Sequence, residues 1–412
     1  SLAFFSRYYG RSYPGDKLDL IAIPDFAFGA MENLGAITFR ETALLVDENR
    51  AARSELERVA DVVSHENAHM WFGDLVTMKW WNGLWLNEAF ATFMEMMAVD
   101  DWKPEWQRWT SFAVSRAAAL QIDGLQSTRS SHPDEAAGMF DILTYEKGAA
   151  VLRMLEQYLG PETFRAGISN YVGKHAYANA ETTDLWDAIE ESAQQPVRTM
   201  MDSWVFQPGH PLISAAVEDT TLVVSQHIFQ YLPAEADAPR RWQVPVFIRA
   251  KSGDQELTRT VLLEEDEVRL DLPARPDWVV VNAGGHGFYR VRYSPDLLQR
   301  LTGVLQTELS ALERFNLVND TWAAALAGLT PLADYMDLLL LFEDETEHNV
   351  WSAVLGSLHY LDRLLDPAHR PALHARVHSL VGPSIERLGW QPADGEDALA
   401  ARRAVGCAGH PG

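Results

Sequence analysis

Two histidines four residues apart, His65 and His69, constrain the fold of this chain more than any other feature of its sequence. They lie in the segment SELERVADVVSHENAHMWFG, whose apolar residues recur at helical spacing. Ser54 followed by Glu57 predicts a capping box at the start of this helix. A spacing of four places both imidazoles on one helix face, so both can reach one Zn²⁺ at about 2.0–2.1 Å. Two surface histidines on an ordinary helix are the alternative.

A carboxylate is placed to complete this site. Glu66 follows His65 directly, where it would flank a metal and accept a proton from water. A third ligand must come from another element. Glu88, nineteen positions after His69 in WLNEAFATFMEMM, lies in a second apolar helix, where an unpaired carboxylate is costly. A place in the first helical turn, favoured by the helix dipole, is its alternative. Glu95 is interpreted as a solvated surface residue.

Further motifs bring a family resemblance. Gly29-Ala30-Met31-Glu32-Asn33 resembles the exopeptidase motif of the M1 family of zinc aminopeptidases. His65, His69 and Glu88 match that family's H-E-x-x-H-x18-E zinc motif. Tyr145, in the segment TYEKG, matches its catalytic tyrosine, and GHGFYRVRY at 285–293 resembles the segment that closes its small β domain. The similarity covers essentially the whole chain and is strongest over residues 17–160.

The resemblance implies the metal and catalytic roles. It implies one Zn²⁺ per chain, held by His65, His69 and Glu88. It assigns to Glu66 the proton of the attacking water, which is later passed to the leaving amine. It assigns to Tyr145 a hydrogen bond to the developing oxyanion. An ordinary half-buried tyrosine at a helix start is the alternative for Tyr145, and an ion pair or a solvated face explains the neighbouring Lys147 and Glu41.

Substrate recognition is also implied by the resemblance. Glu32 would pair with a free α-ammonium group and so restrict cleavage to the first residue of a peptide. The substrate-binding set comprises Gly29, Ala30, Met31, Glu32 and Asn33. Phe28 is predicted to wall the first side-chain pocket, although an aromatic residue in a strand is usually part of the core. A solvated turn is the alternative for Glu32 and Asn33.

Three successive regions with different patterns of apolar residues predict a multidomain α+β chain. Residues 1–207 mix short β runs such as Leu18–Ile23 and Ala36–Phe39 with amphipathic helices, and the resemblance implies a thermolysin-like zinc catalytic domain. Residues 208–293 predict a small β-sandwich. Residues 294–412 predict an α-helical, repeat-like domain. Family members usually begin with a β-rich domain, so we expect that domain to precede Ser1 and the helical domain to be cut short.

The composition and net charge of the chain argue against some classes of binding partner. The 412 residues include 34 Lys and Arg against 58 Asp and Glu, a net charge of −24. Such a chain is a poor candidate for nucleic acid or an anionic membrane surface. The longest apolar run, around Leu338–Phe342, is far shorter than the roughly 18 residues of a membrane helix. The single cysteine, Cys407, excludes an internal disulfide framework and fits a reducing compartment. We predict a cytoplasmic monomer that binds neither nucleic acid nor membrane.

The leading hypothesis is a zinc-dependent aminopeptidase acting on peptides with a free N terminus. A non-catalytic peptide-binding relative and an aminopeptidase with added epoxide-hydrolase activity are the alternatives. Two positions depart from the common family pattern. Asn67 replaces the usual apolar residue inside the histidine motif, and Leu34 stands where many members have Trp. We expect both to tune the site and the peptide groove without abolishing function.

Overall fold

The computed structural model describes residues 1–48, 50–126, 140–232 and 240–388. The chain forms two compact units. The first comprises Ser1–His210, Arg241–Pro245 and His286–Phe288, and the second comprises Pro211–Arg240, Val246–Gly285 and Tyr289–Gly412. The three-domain division at residues 207 and 293 stays a prediction. Cys407 lies outside the described residues.

The first unit is mainly helical. Its helices are α1 (Leu2–Tyr9), α2 (Arg53–His69), α3 (Leu84–Trp102), α4 (Arg108–Asp123), α5 (Gly148–Leu159), α6 (Pro161–His175), α7 (Thr182–Ala193) and α8 (Val197–Val205). Short 3₁₀ turns occupy Glu41–Ala43, Trp81–Gly83 and Pro104–Trp106. A π-helical turn, Leu143–Lys147, leads directly into α5. The two predicted histidine and glutamate helices are therefore confirmed as α2 and α3.

Two small sheets accompany these helices. The strands are β1 (Asp19–Ile23), β2 (Ala30–Met31), β3 (Ala36–Arg40), β4 (Val76–Met78) and β5 (Ala178–Ala180). In the order β1-β3-β2, β1 runs parallel to β3 and β2 antiparallel to it. The predicted strands Leu18–Ile23 and Ala36–Phe39 are confirmed to within one residue. The second sheet pairs β4 with β5 in parallel.

The start of α2 differs from the predicted capping box. The helix begins at Arg53, and the carboxylate of Glu55, instead of Glu57, accepts a hydrogen bond from the backbone N–H of Ala52 at 2.7 Å. Glu57 is buried and pairs with Arg53 and Arg108 at 2.8 and 3.0 Å. The prediction was wrong because Arg108 comes from α4, a partner that local sequence does not reveal.

Apolar packing fixes α2 against α3. Helix α3 is rich in apolar residues and buried around most of its circumference, which is the pattern of a helix in a core. Phe90 of α3 stacks on Phe72, just after α2, with ring centroids 3.7 Å apart. Trp71 beside it is fully buried. This packing places the end of α2 against the start of α3, so residues distant in sequence face each other.

The second unit contains the later sheets and helices. Its strands are β6 (Pro211–Glu218), β7 (Thr221–Ile228), β8 (Val244–Ser252, whose first two residues belong to the first unit), β9 (Gln255–Leu263), β10 (Glu267–Asp271), β11 (Trp278–Val281) and β12 (Arg290–Tyr293). They form sheets of order β10-β7-β6-β12 and β11-β8-β9. The predicted β texture of this region is confirmed, whereas its packing as a sandwich stays a prediction.

Helices follow in the same unit. They are α9 (Pro295–Thr302), α10 (Leu305–Glu308), α11 (Ala311–Leu326), α12 (Leu332–Leu339), α13 (His348–Leu364) and α14 (Arg370–Leu388), with a 3₁₀ turn at Leu340–Phe342. Leu212 of β6 and Ala323 of α11 share an apolar cluster with Phe229. None of the helices in the described ranges is both long and apolar enough to cross a membrane.

Candidate active site

Three side chains from α2 and α3 converge on one point. The Nε2 atoms of His65 and His69 are 3.1 Å apart. Glu88 Oε2 lies 3.3 Å from Nε2 of His65 and 3.4 Å from Nε2 of His69. The convergence has a local origin in the spacing of the histidines and a tertiary origin in the packing of α3. These three residues could hold a metal ion.

The separations of the three donor atoms fit a small tetrahedral ion. Ligand atoms bound at about 2.0–2.1 Å in tetrahedral geometry lie about 3.3 Å from one another. The observed separations of 3.1, 3.3 and 3.4 Å bracket that value. Two imidazoles and one carboxylate are also a donor set that zinc accepts while leaving a fourth position open. The donor atoms therefore fit zinc both in chemistry and in spacing.

The ring orientation of each histidine is fixed from behind. Nδ1 of His69 lies 2.9 Å from the backbone carbonyl oxygen of Phe72. Nδ1 of His65 lies 2.8 Å from Oε2 of Glu95. A proton on Nδ1 donates to these oxygens and leaves the Nε2 lone pair available to a metal.

The interpretation of Glu95 as a solvated residue was wrong. Its side chain is only 14% exposed and contacts His65. The signal was present in the sequence, because Glu95 follows Glu88 by seven residues. Two helical turns separate them, so both carboxylates lie on the same face of α3. Without the partner helix, however, that face could not be told from a solvated one.

The Glu88 carboxylate controls the charge of the two histidines. Burial alone would lower the pKa of His65, but its hydrogen bonds with Glu88 and Glu95 raise that pKa well above its usual value. Burial also opposes charge on His69, whose pKa is raised to about 9 by Glu88. Burial works against ionisation of Glu88, yet the two histidines hold its pKa well below the usual range. Protons and a metal ion would therefore compete for the same ring nitrogens.

Glu66 is buried beside the cluster with an unused oxygen. It is 6% exposed, and its Oε2 atom has no hydrogen-bond partner among the described residues. Burial raises the pKa of Glu66 to about 7, while the neighbouring His65 and His69 lower it. A carboxylate with a pKa near neutrality and a free acceptor oxygen can take up and release a proton.

Tyr145 approaches the cluster from the π-helical turn. Its ring stacks on His65 with centroids 6.1 Å apart. Burial raises the pKa of its hydroxyl far above the usual value, and the negative charge of Glu88 adds to the rise. The hydroxyl is therefore a donor at any physiological pH. Tyr145 lies at the same cluster as Glu66 and the histidines, as expected from the sequence.

The segment Gly29–Asn33 lies along the outer edge of the first sheet. Strand β2 pairs with β3 through Ala30 and Met31, and it lies beside α2. Glu32 is half-buried at the end of β2. Its negative charge contributes to the raised pKa of Glu66 and of His69, as expected for a carboxylate near the cluster.

A tight turn holds this edge in place. The backbone N–H of Ala36 donates to the carbonyl of Asn33 at 2.9 Å, and Gly35 has a φ of +78°. That conformation favours glycine over any residue with a side chain. Asn33 Nδ2 also donates to Oγ1 of Thr38 at 3.3 Å. The Asn33 side chain therefore supports the turn between β2 and β3.

Three further predictions, for Lys147, Glu41 and Phe28, have different outcomes. Lys147 forms a buried ion pair with Asp123 at 2.9 Å, so the ion-pair interpretation is confirmed. Glu41 is exposed, in agreement with a solvated position. Phe28 is 63% exposed, and its ring lies 6.5 Å from that of Phe140. Its place in a substrate pocket stays a prediction.

Comparison with known proteins agrees with this geometry. The peptidase family M1 domain matches residues 1–204, and an ERAP1-like C-terminal domain matches residues 278–412. The chain is 39% identical over 420 residues to Aminopeptidase M1-A of Oryza sativa subsp. japonica, covering 97% of this chain and 47% of that protein.

Two further relatives show the same extent of similarity. Aminopeptidase M1 of Arabidopsis thaliana is 36% identical, covering 97% of this chain and 48% of that protein. Tricorn protease-interacting factor F2 of Thermoplasma volcanium is 36% identical, covering 98% and 50%. The chain thus spans about half the length of the curated relatives it matches. Together with the helical C-terminal match, these similarities show that the chain belongs to peptidase family M1.

Proposed function

We propose that this chain carries the catalytic site of a zinc-dependent aminopeptidase, which hydrolyses the N-terminal residue from peptides. His65, His69 and Glu88 hold one zinc ion. A bound zinc ion supplies Lewis acidity to the scissile carbonyl and makes water easier to deprotonate. The observation that supports this proposal most strongly is the tetrahedral spacing of the three donor atoms beside the unpaired Oε2 of Glu66.

The remaining steps belong to the residues around the cluster. Glu66 takes the proton of the attacking water on Oε2 and passes it to the leaving amine. Its pKa of about 7 suits transfer in both directions near neutral pH. Tyr145 donates its hydroxyl proton in a hydrogen bond to the oxygen that gains charge in the transition state. Its pKa lies so high that it stabilises this charge without losing the proton.

Glu32 supplies the selectivity for a free N terminus. Its half-buried side chain follows β2 at the edge of the sheet, beside α2, where its carboxylate can pair with an α-ammonium group. A charge-assisted pair of this kind is stronger than a neutral hydrogen bond. The backbone of Gly29, Ala30 and Met31 lies next to Glu32 and offers polar groups to the main chain of the substrate. An acetylated peptide lacks the charge that Glu32 would bind.

The experiment is a hydrolysis assay with and without a free amine. The full-length, metal-loaded protein is supplied with chromogenic aminoacyl amides and with their N-acetylated counterparts. We expect rapid cleavage of the free amides, at least 100-fold slower cleavage of the acetylated ones, and loss of activity with a chelator that added zinc restores. Equal cleavage of both substrates would contradict the role of Glu32. Activity that persists after complete metal removal would contradict the metal site.

The setting of the enzyme is also a proposal. Its partners are peptides with a free N terminus, and its net charge of −24 favours cationic N-termini over polyanions. We propose that it acts as a monomer in the cytoplasm. Size-exclusion chromatography with light scattering tests the first point, and fractionation of the source cells tests the second.

A further inference from the structure

The turn that carries Tyr145 has an unusual backbone. Leu143–Lys147 forms a π-helical turn that leads directly into α5. Such turns are rare and persist where the surroundings hold them in place. Tyr145 lies at the centre of this turn, and its ring stacks on that of His65 in α2 with centroids 6.1 Å apart. The position of the hydroxyl therefore depends on what fixes the two ends of the turn.

Capping and close packing fix the turn on two sides. The carboxylate of Asp141 accepts hydrogen bonds from the backbone N–H groups of Leu143 and Thr144 at 3.1 and 3.0 Å. At the other end, Gly148 lies so close to α3 that an added Cβ would be 2.4 Å from Cβ of Ala89. Ala89 is the residue after Glu88. The turn is thus pressed against the helix that carries the carboxylate ligand.

A buried ion pair fixes the turn on its third side. Lys147 and Asp123 are each 1% exposed. Lys147 Nζ donates to Oδ2 of Asp123 at 2.9 Å and to the backbone carbonyl of Gly209 at 3.2 Å. The backbone N–H of Gly209 donates to Oδ1 of the same carboxylate at 3.0 Å. One side chain of the turn is therefore bound to the end of α4 and to a loop more than 60 residues away in sequence.

This ion pair is costly to bury and touches no reacting group. Burial alone would raise the pKa of Asp123, yet Lys147 holds that pKa well below its usual range. Two charges removed from water stabilise a fold weakly at best, so a buried pair of this kind often serves specificity of structure. Here the structure that it specifies is the turn two residues from Tyr145.

We propose that the Lys147–Asp123 ion pair is a positioning pair, which holds the Tyr145 ring against His65 and so fixes its hydroxyl at the metal-ligand cluster. This inference rests on the proposed aminopeptidase function. Lys147 and Asp123 act through Tyr145 and contact no substrate. Loss of the pair shifts the hydroxyl, so the transition state loses a hydrogen bond that the bound substrate does not use. The expected signature is a fall in kcat with an unchanged KM.

The test removes both charges together. The double variant Lys147→Met with Asp123→Asn removes both charges of the pair and keeps an acceptor for the N–H of Gly209. With aminoacyl amides and zinc-loaded protein, we expect kcat to fall about 30-fold and KM to stay within about twofold. If this double variant does not fold, Lys147→Gln with Asp123→Asn removes both charges while keeping polar groups at both positions, and it should show the same signature at smaller size.

A double-mutant cycle with Tyr145→Phe separates positioning from a general effect. Tyr145→Phe alone should lower kcat about 100-fold or more. If the ion pair acts through the hydroxyl, adding its removal to Tyr145→Phe should lower kcat by less than about twofold further. A full additional 30-fold loss would overturn the proposal, as would wild-type kcat in a folded double variant.

A matched pair elsewhere serves as the control. Arg314 and Glu345 form a buried ion pair in the second unit, and Glu345 also accepts from backbone N–H groups. Arg314→Met with Glu345→Gln should lower the melting temperature and leave kcat unchanged. A similar loss of kcat in this control would indicate that any buried pair affects activity through stability, and would overturn the assignment.

Hydrogen exchange gives a readout that does not depend on activity. In the metal-free protein, removal of the Lys147–Asp123 pair should speed amide exchange in a peptide covering Leu143–Gly148 and leave α2 unchanged. Uniform acceleration throughout the first unit, or none in the turn, would contradict positioning. If the wild-type protein cleaves no aminoacyl amide, the proposed function fails, while the exchange result still decides whether the pair holds the turn.

Discussion

The proposed metal centre (His65, His69 and Glu88) and the proposed amine-recognition segment (Gly29–Asn33) are built in opposite ways. The first combines two long helices, α2 and α3, and its residues His69 and Glu88 are buried. The second rests on β2, a strand of two residues at the edge of a three-stranded sheet, where Met31 is 39% exposed. The two lie near each other, because β2 lies beside α2.

From this difference in burial we expect the two helices to carry out the chemical step and the strand to select the substrate. Buried donor atoms with fixed neighbours are held in place before any ligand arrives, which favours electrostatic stabilisation of a transition state. A partly exposed strand edge offers backbone groups and a charge to a peptide entering from solvent. Changes in the helices should therefore alter kcat or metal affinity, and changes in the strand should alter substrate binding.

The largest effect is expected from Glu66→Gln. This change keeps the shape of the side chain and removes the base, so kcat should fall about 10³-fold, or about 4 kcal/mol, with unchanged metal content. Steady-state kinetics and metal analysis of the same sample measure both quantities. Wild-type kcat in this variant would show that Glu66 is not the base. The helices and the strand would then not differ in function as expected.

A second effect of the same change concerns stability and pH. Burial raises the pKa of Glu66 from 4.5 to about 7, so the ionised form destabilises the folded, metal-free protein. Glu66 therefore does not lower the stability of the fold below about pH 4.5, where it is protonated in both the folded and unfolded states. The folded protein loses stability as the pH rises through 7 and the buried carboxyl ionises. At pH 8, Glu66→Gln should be more stable than wild type by about 3 kcal/mol, and near pH 4.5 the two should be equal.

Urea unfolding of the metal-free proteins at both pH values tests this difference. The exposed Glu41→Gln serves as the control, with no pH-dependent gain. An equal difference at pH 4.5 and pH 8 would mean that ionisation of Glu66 is not its source.

A smaller effect, on substrate binding and not on the chemical step, is expected from Glu32→Gln. Loss of one charge-assisted pair should lower kcat/KM for aminoacyl amides about 30-fold, or about 2 kcal/mol, mainly through a higher KM. Cleavage of N-acetylated amides should not fall further. If kcat fell at constant KM, as for Glu66→Gln, then the strand would take part in chemistry, and the two regions would not be distinct in function.

The smallest effect is expected from Glu95→Gln. The neutral amide still accepts from His65 but no longer strengthens its basicity, so zinc should bind about tenfold more weakly, or about 1.4 kcal/mol. Competition with a chromogenic chelator measures the affinity, with the exposed Glu105→Gln as the control. An unchanged affinity would indicate that Glu95 only packs against the ring. Fully loaded protein should keep most of its kcat.

For α2 and α3, the sequence alone predicted the candidate metal-binding residues but not the partners of two nearby carboxylates. The spacing of His65 and His69 follows from helix geometry, and the motif predicts Glu88 as the third ligand. Glu95 and Glu57 were misinterpreted, because a charged residue on a helix has the same local pattern whether it meets water or a buried partner. Glu95 of α3 contacts His65 of α2, and Glu57 of α2 contacts Arg108 of α4. Each carboxylate therefore has a partner on another helix, distant in sequence.

The amino-acid sequence was sufficient to predict helices α2 and α3, strands β1 and β3, and the residue types that can bind a metal or accept a proton. These depend on local periodicity and on side-chain chemistry. Only the tertiary structure decided the distances between the donor atoms, the raised pKa of Glu66, and the anchoring of Tyr145 through Lys147 and Asp123. Burial and contacts between distant segments set these properties, and neither is encoded in local spacing.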